Sequence, residues 1–235
     1  MPGYQEPTLV ASVLSTDVHD LGGLLLELER SGVDRVHWDV QDGRSGPHPA
    51  FGPELVAAAR GRVDLDFEVH LMVDDPDPVL ADWACAGCSI VIVHAEAHRH
   101  LHRTLFAVAE LGARVGVALG PATPLCAVDH VLDMIDLLLI MTADPGPGGQ
   151  PYLASVQSTI TAARAEIDRR GLDVALEVDG GIDPVTIGAA AAAGADVFCA
   201  GPGLLYGPGT MADRVAELRG AAAAARDLRL PVGAG

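Results

Sequence analysis

The sequence predicts an α/β protein folded as a (β/α)8 TIM barrel. Three observations carry this reading. Short apolar runs alternate with longer amphipathic stretches along the whole chain. There are eight such pairs, and 235 residues suit one barrel of eight β/α units better than an open sheet. No linker or shift in composition marks a second domain, so one barrel domain over 1–235 is expected, with a short loose N-terminus and a loose tail at Leu230–Gly235.

The elements follow in order. Strands are read at 8–14, 34–40, 66–73, 89–94, 114–119, 136–142, 173–179 and 196–200. Helices follow them at 19–31, 53–60, 77–86, 99–111, 124–132, 153–169, 184–193 and 211–225. Asp183-Pro184 reads as an N-cap followed by proline in the first helical turn. Gly87, Gly112, Gly171 and Gly194 come just after helical runs, where a left-handed residue ends a helix.

Composition narrows the function. Hydrophobic residues make up 49% of the chain, enough for a sizeable core, and aromatics are scarce. The formal charge of −17 argues against nucleic acid as a partner, because backbone binding needs clustered basic side chains. No apolar run approaches the roughly 20 residues needed to span a bilayer. Met1–Pro7 lacks the basic start and apolar stretch of a secretory leader, so the cytoplasm is the expected compartment. Cys85 and Cys88 form a lone C-x-x-C without a second pair, and read as small core or helix-end residues. Cys126 and Cys199 read as buried small hydrophobes.

Chemistry gathers at strand ends. Residues i and i+2 of a strand share a face, so His37 projects with Asp39, Glu68 with His70 and Met72, and Glu177 with Asp179. In a barrel these sets converge near the C-terminal rim, where active sites are built. Buried carboxylates cost several kcal/mol each unless compensated. Arg35 is read on the wrong face of its strand and Arg44 in a loop, which leaves a divalent cation as the compensating charge. Two imidazoles and two carboxylates suit zinc or iron(II), with manganese or cobalt as further choices. Such a cation polarises a ketone while carboxylates on opposite faces of the flat intermediate exchange a proton, which is epimerisation.

A second constellation suits an anion. Gly146, Gly148 and Gly149 allow backbone N–H groups to approach a ligand. Gly180 and Gly181 after strand seven and Gly201 after strand eight lie where barrels hold phosphate. Backbone donors need no basic side chain, which suits so acidic a chain. A small-molecule sugar phosphate is therefore the expected partner.

These motifs resemble the ribulose-phosphate 3-epimerase family of phosphate-binding barrels. The resemblance runs from about Val10 to Gly207 and includes Ser12-Val13-Leu14-Ser15, His37-x-Asp39-x-x-Asp42-Gly43, Phe51-Gly52-Pro53, His70-Leu71-Met72-Val73, Val93-His94-x-Glu96, Pro121-x-Thr123-Pro124, Met141, Pro145-Gly146-x-Gly148-Gly149-Gln150 and Glu177-Val178-Asp179-Gly180-Gly181. It implies a ribulose-phosphate-binding type of barrel. It also implies that His37, Asp39, His70 and Asp179 bind the metal, with Asp39 and Asp179 as the acid/base pair working at C3 through a C2–C3 enediolate. Met72 and Met141 would line the pocket, Ser12 would position substrate or water, and Gly148, Gly149, Gly180, Gly181 and Gly201 would contact phosphate. A homo-oligomer is implied on the same ground.

The chain departs from the family pattern at Gln41, where methionine is usual, at Pro147 in place of Phe, at Pro202 in place of Ser and at Gly120 in place of Asn. The loop Arg44-Ser45-Gly46-Pro47-His48 departs as well. Intact chemistry behind altered walls, together with Met141-Thr142-x-Asp144-Pro145-Gly146 and Gly194-Ala195-Asp196-Val197-Phe198, resembles the allulose-6-phosphate 3-epimerase branch. This tilts the expected substrate toward a hexulose phosphate (D-fructose 6-phosphate and D-allulose 6-phosphate), with D-ribulose 5-phosphate and D-xylulose 5-phosphate as the alternative. A non-catalytic sugar-phosphate-binding homologue is a further alternative, favoured by Pro147 and Pro202. An aldolase or decarboxylase on the same barrel is a rival; the lack of any lysine, all 15 basic residues being Arg, argues against a Schiff-base aldolase. His94, His98, His100 and His102 read as a rim residue followed by an exposed helix start, rather than as a second metal site, and Asp42 reads as a turn residue behind the site.

Overall fold

The computed structural model describes residues 6–14, 16, 18–43, 51–146 and 148–227. Met1–Gln5, Ser15, the loop Arg44–His48, Pro147 and the tail Leu230–Gly235 lie outside the described residues. Eight parallel strands close into a barrel in chain order: β1 (Thr8–Ser12), β2 (Arg35–Gln41), β3 (Asp66–Met72), β4 (Ile90–His94), β5 (Arg114–Leu119), β6 (Leu137–Met141), β7 (Ala175–Asp179) and β8 (Val197–Ala200). Closure is made by β8 pairing with β1, in the register Leu9 with Phe198 and Val10 with Cys199. Each strand falls within two residues of its predicted span.

The helices are α1 (Leu21–Arg30), α2 (Pro53–Arg60), α3 (Leu80–Cys85), α4 (Leu101–Glu110), α5 (Gln157–Arg170), α6 (Ile187–Ala193), α7 (Pro202–Leu205) and α8 (Met211–Asp227). Two expectations are corrected. The helix read at 124–132 is a pair of 3₁₀ turns, Leu125–Val128 and Leu132–Met134. Leu125, Val128 and Val131 recur at a spacing of three, the period at which 3₁₀ side chains eclipse. The helix read from Pro184 starts at Ile187. Asp183 instead accepts hydrogen bonds from the backbone of Val185 (2.8 Å) and Thr186 (2.9 Å), fixing a turn ahead of it. Gly87, Gly112, Gly171 and Gly194 all have positive φ, as their places after helices require. Short α7 has no counterpart in the sequence reading.

Strand alternation sorts side chains into two cores. Val36, Trp38, Val40, Phe67, Val69 and Leu71 point outward and pack under the helices in the main apolar cluster. Each such buried side chain stabilises the fold by about 1.5–3 kcal/mol. The inward set is apolar around Ile90, Ile92, Leu137 and Leu139 and polar around β2, β3 and β7. No helix among the described residues is long and apolar enough to cross a membrane.

Candidate active site

Register places the polar set. In parallel strands, paired residues point to the same side, and His37 pairs with Glu68, Asp39 with His70, and Met141 with Asp179. The result is a group, buried except for half-buried Asp179, in which His37, Asp39, His70 and Asp179 each offer a ligand atom within 4.8 Å of the others. His37 Nε2 lies 3.3 Å from Asp39 Oδ1, and His70 Nδ1 lies 3.2 Å from the same oxygen. The two rings meet edge to face with centroids 5.2 Å apart. Ser12 Oγ, from β1, donates to Asp39 Oδ2 at 2.7 Å.

The donors fit a divalent cation. His37 uses Nδ1 on Glu68 Oε1 (2.7 Å), which leaves buried Nε2 without a hydrogen-bond partner among the described residues. A buried orphan nitrogen facing two carboxylates is costly unless a cation completes it. Imidazole and carboxylate together suit a transition metal or zinc rather than calcium.

Arg35 is a correction. It is two residues before His37 and so shares the inward face. Its guanidinium meets Glu68 Oε2 at 2.5 Å. Glu68 and Glu177 are both fully buried beneath the cluster, and His37 Nδ1 lies 3.6 Å from Glu177 Oε1. Arg35 thus compensates this lower layer, while Asp39 and Asp179 face the cavity without it. Burial alone would raise Glu68, but His37 and Arg35 hold it at about 2. Burial and the Glu68 charge push Glu177 well above the ordinary range.

The two aspartates are driven apart. Burial would raise Asp39, but His37 and His70 pull it well below the ordinary carboxylate range. Burial and the Asp39 charge raise Asp179 from 3.8 to about 6. Burial lowers His70 to about 4, leaving a neutral imidazole. A pair of acids with opposed shifts is the pattern expected of one proton acceptor and one proton donor.

At the cluster opens a cavity of about 780 Å³, lined by Ser12, Asp39, Met72, Met141, Asp179 and Cys199. Gly146, Gly148, Gly149, Gly180, Gly181 and Gly201 line it as well. A Cβ on Gly180 (φ 121°) would sit 2.5 Å from the Ala143 nitrogen, and one on Gly181 (φ 63°) 2.8 Å from Tyr152 Cα. Only glycine fits where the β7 exit passes the β6 exit this closely. Thr142 fastens the two, its backbone N–H donating to Asp179 and its hydroxyl to Gly180, both at 2.7 Å. Gln41 is buried beside the cavity, with its side-chain amide on the Gly146 carbonyl at 2.7 Å.

Some features were missed or misplaced. Cys199 is buried in the core, as expected, and in addition lines the cavity, forming with His37 and Glu177 a second group of neighbouring donors. Cys126 is exposed, not buried. Tyr152, Thr186 and Gly203 also line the cavity. The neighbouring-donor groups found among the described residues contain none of His98, His100 and His102. His94 is buried, its ring stacked on His70 at 5.0 Å.

A barrel rim that joins opposed acids, a cation-shaped donor set and a glycine-lined cradle defines an enzyme of proton transfer on an anionic small molecule. Comparison with known proteins narrows the class. The model of the ribulose-phosphate 3 epimerase family matches residues 8–205. The ribulose-phosphate 3-epimerase of Rhodobacter capsulatus is 42% identical over 222 residues, covering 92% of this chain and 96% of that protein. The protein of the same name from Bacillus subtilis is 40% identical over 210 residues, covering 89% and 96%. Among solved structures, KGPDC from Streptococcus mutans superposes with a TM-score of 0.73 at 14% identity, over 94% of this chain and 99% of that one. The 3-hexulose-6-phosphate synthase of Salmonella typhimurium gives 0.71 at 14%, over 93% and 99%. At that identity the superpositions speak for the barrel alone.

The chain belongs to the ribulose-phosphate 3-epimerase family and is an isomerase. The tilt toward a hexulose phosphate is corrected. It rested on short loop motifs, whereas relatives that match nearly end to end carry the name of the pentulose phosphate. The non-catalytic alternative gives way for the same reason.

Proposed function

We propose that this protein inverts C3 of a pentulose phosphate, interconverting D-ribulose 5-phosphate and D-xylulose 5-phosphate. The single observation that carries the reading is the convergence of Asp39 and Asp179, with opposed acidities, beside His37 and His70 at the floor of the cavity. The names of the curated relatives support the pentulose phosphate.

His37, Asp39, His70 and Asp179 would hold one divalent cation: zinc or iron(II), or else manganese or cobalt. When bound it supplies Lewis-acid polarisation of the C2 carbonyl. One aspartate takes the C3 proton as the C–H electron pair moves into a C2–C3 double bond and charge passes to the C2 oxygen. The other aspartate returns a proton to the opposite face of C3, and the electrons flow back to restore the ketone. Ser12 holds Asp39 in place by its 2.7 Å hydrogen bond. Met72 and Met141 offer apolar walls to the planar intermediate, and the glycines at 146, 148, 149, 180, 181 and 201 present the phosphate cradle. Gln41 acts on the substrate indirectly, through the loop it holds. A homo-oligomer in the cytoplasm belongs to the same reading on the strength of kinship.

The test is incubation with D-ribulose 5-phosphate in deuterated water, followed by NMR. Label at C3 together with appearance of D-xylulose 5-phosphate is the expected result. Label-free substrate after prolonged incubation with added zinc, iron(II), manganese or cobalt would overturn the reading.

A further inference from the structure

The sequence motif His94-x-Glu96 has no role in the chemistry above, yet it touches the cluster from behind. His70 Nε2 lies 2.9 Å from His94 Nε2, and His94 Nδ1 lies 3.1 Å from Glu96 Oε2. Glu96 is held in turn by the next strand's exit. Its Oε1 accepts the Gly120 backbone N–H at 2.6 Å and the Thr123 hydroxyl. A chain of hydrogen bonds therefore runs from the loop after β5, through Glu96 and His94, to His70 and the cluster.

We propose that Glu96 is a positioning residue that dictates, through His94, which ring nitrogen of His70 is free to bind a cation. The proposal rests on the cation reading given above and deepens it.

The argument is one of donors and acceptors. A neutral imidazole carries one N–H and one lone pair, and the partner of one nitrogen decides the state of the other. The Glu96 carboxylate has no proton to give, so the His94 nitrogen that faces it, Nδ1, carries the hydrogen. His94 Nε2 is then a lone pair, and the 2.9 Å contact requires His70 Nε2 to be the donor. That leaves the lone pair of His70 on Nδ1, inside the cluster. Without a cation this nitrogen instead donates to Asp39 Oδ1 at 3.2 Å, so the relay sets the tautomer once a cation lies between them. Each link reverses if the first reverses. His37 is set in the same sense by a single link, its Nδ1 on Glu68 leaving Nε2 for the cluster. Partners of this kind behind a metal-binding histidine fix its tautomer and ring orientation.

Glu96→Gln separates this role from simple packing, because the substitution is isosteric. The Gly120 N–H is backbone and can only donate, so the amide oxygen stays with it. The amide NH₂ then faces His94 Nδ1 and donates to it. The proton of His94 moves to Nε2, that of His70 moves to Nδ1, and the ligand nitrogen is blocked. Glu96→Ala removes the bias without imposing the opposite one. The conservative change should therefore do more harm than the truncation.

The experiment measures zinc affinity of the metal-free proteins by chelator competition, with nitrogen-15 NMR of histidine-labelled wild type loaded with zinc. Wild type should show the proton on His70 Nε2 hydrogen-bonded to an unprotonated His94 Nε2. Glu96→Gln should bind zinc about 10–100-fold more weakly, with Glu96→Ala in between and both variants still unfolding cooperatively in the metal-free state. Equal zinc affinity in wild type and Glu96→Gln overturns the relay and leaves the cation site standing. A wild-type spectrum with the proton on His94 Nε2 does so too, even if Glu96→Gln fails to fold. Failure of wild type to bind zinc, iron(II), manganese or cobalt overturns the relay and the cation reading together.

Discussion

Gln41 on β2 and Gly146 in the loop after β6 are joined side chain to backbone, the Gln41 amide donating to the Gly146 carbonyl at 2.7 Å. The loop is pinned a second time, by Gln150 Nε2 on the Asp144 carbonyl at 2.6 Å. Gln41 thus ties a strand that carries an aspartate of the site to a loop that lines the cavity. Gln41→Met removes the tie and keeps the volume. One hydrogen bond contributes about 0.5–1.5 kcal/mol, so KM for the ketose phosphate should rise roughly 2–10-fold with kcat less affected. Unchanged KM in steady-state kinetics would show that the loop holds its place without Gln41.

Asp39→Asn and Asp179→Asn should each lower exchange of the C3 proton by about 10²–10⁴-fold. The fold should survive, because each change removes a buried charge rather than a core side chain. Asp179→Asn in particular relieves the repulsion with Asp39, which together with burial raises the Asp179 pKa to about 6. Deuterium incorporation read beside thermal unfolding separates loss of chemistry from loss of structure. Exchange near the wild-type rate in either variant would remove that aspartate from the acid/base pair.

Chelation should abolish activity, and a divalent cation should restore it. The cation should also stabilise the fold. A ligand present at a hundred times its Kd adds about 2.7 kcal/mol, which for a chain of this size raises Tm by roughly 5–10 °C. Scanning calorimetry of metal-free and reloaded protein checks this. A Tm indifferent to all four cations would count against a ligand set at His37, Asp39, His70 and Asp179.

Gly181→Ala tests the cradle. The new methyl meets the Tyr152 backbone at a residue whose φ is 63°. The β7 exit must then shift, at a cost of about 1–3 kcal/mol. KM for the sugar phosphate should rise by more than kcat falls, since the aspartates stand on the strand itself. A kcat loss without a KM change would place phosphate elsewhere.

What the sequence yielded, and what it withheld, divides along physical lines. The strands were legible because apolar runs of four to seven residues stand between turn residues. His37, Asp39, His70 and Asp179 were legible because strand parity brings them to one side. The same parity rule places Arg35 with them, so its contact with Glu68 is written in the alternation as well. The connection at 125–134 hid its form because apolar spacing of three and of three to four look alike over so short a span. Glu96 hid its role because its partners, Gly120 and Thr123, come from the neighbouring β/α unit. Contacts between units follow from barrel closure and leave no mark in local spacing.

Glu96 also carries a pH prediction. Burial would raise its pKa, but hydrogen bonds from His94, Thr123 and Gly120 lower it from 4.5 to about 2. A carboxylate with a lower pKa in the folded state binds fewer protons there than in the unfolded chain. Its contribution to stability is therefore complete above pH 4.5 and is lost as pH falls toward 2. Glu68, also held at about 2, falls in the same window and remains in both proteins when only Glu96 is changed. The comparison of wild type with Glu96→Gln thus isolates one group. Urea unfolding at pH 6, 4 and 3 should show wild type ahead at pH 6, with its lead shrinking at 4 and again at 3. A gap of constant size across that range would mean that Glu96 is no better held as an anion in the fold than in the unfolded chain, and the bonds that anchor the relay would lose their force.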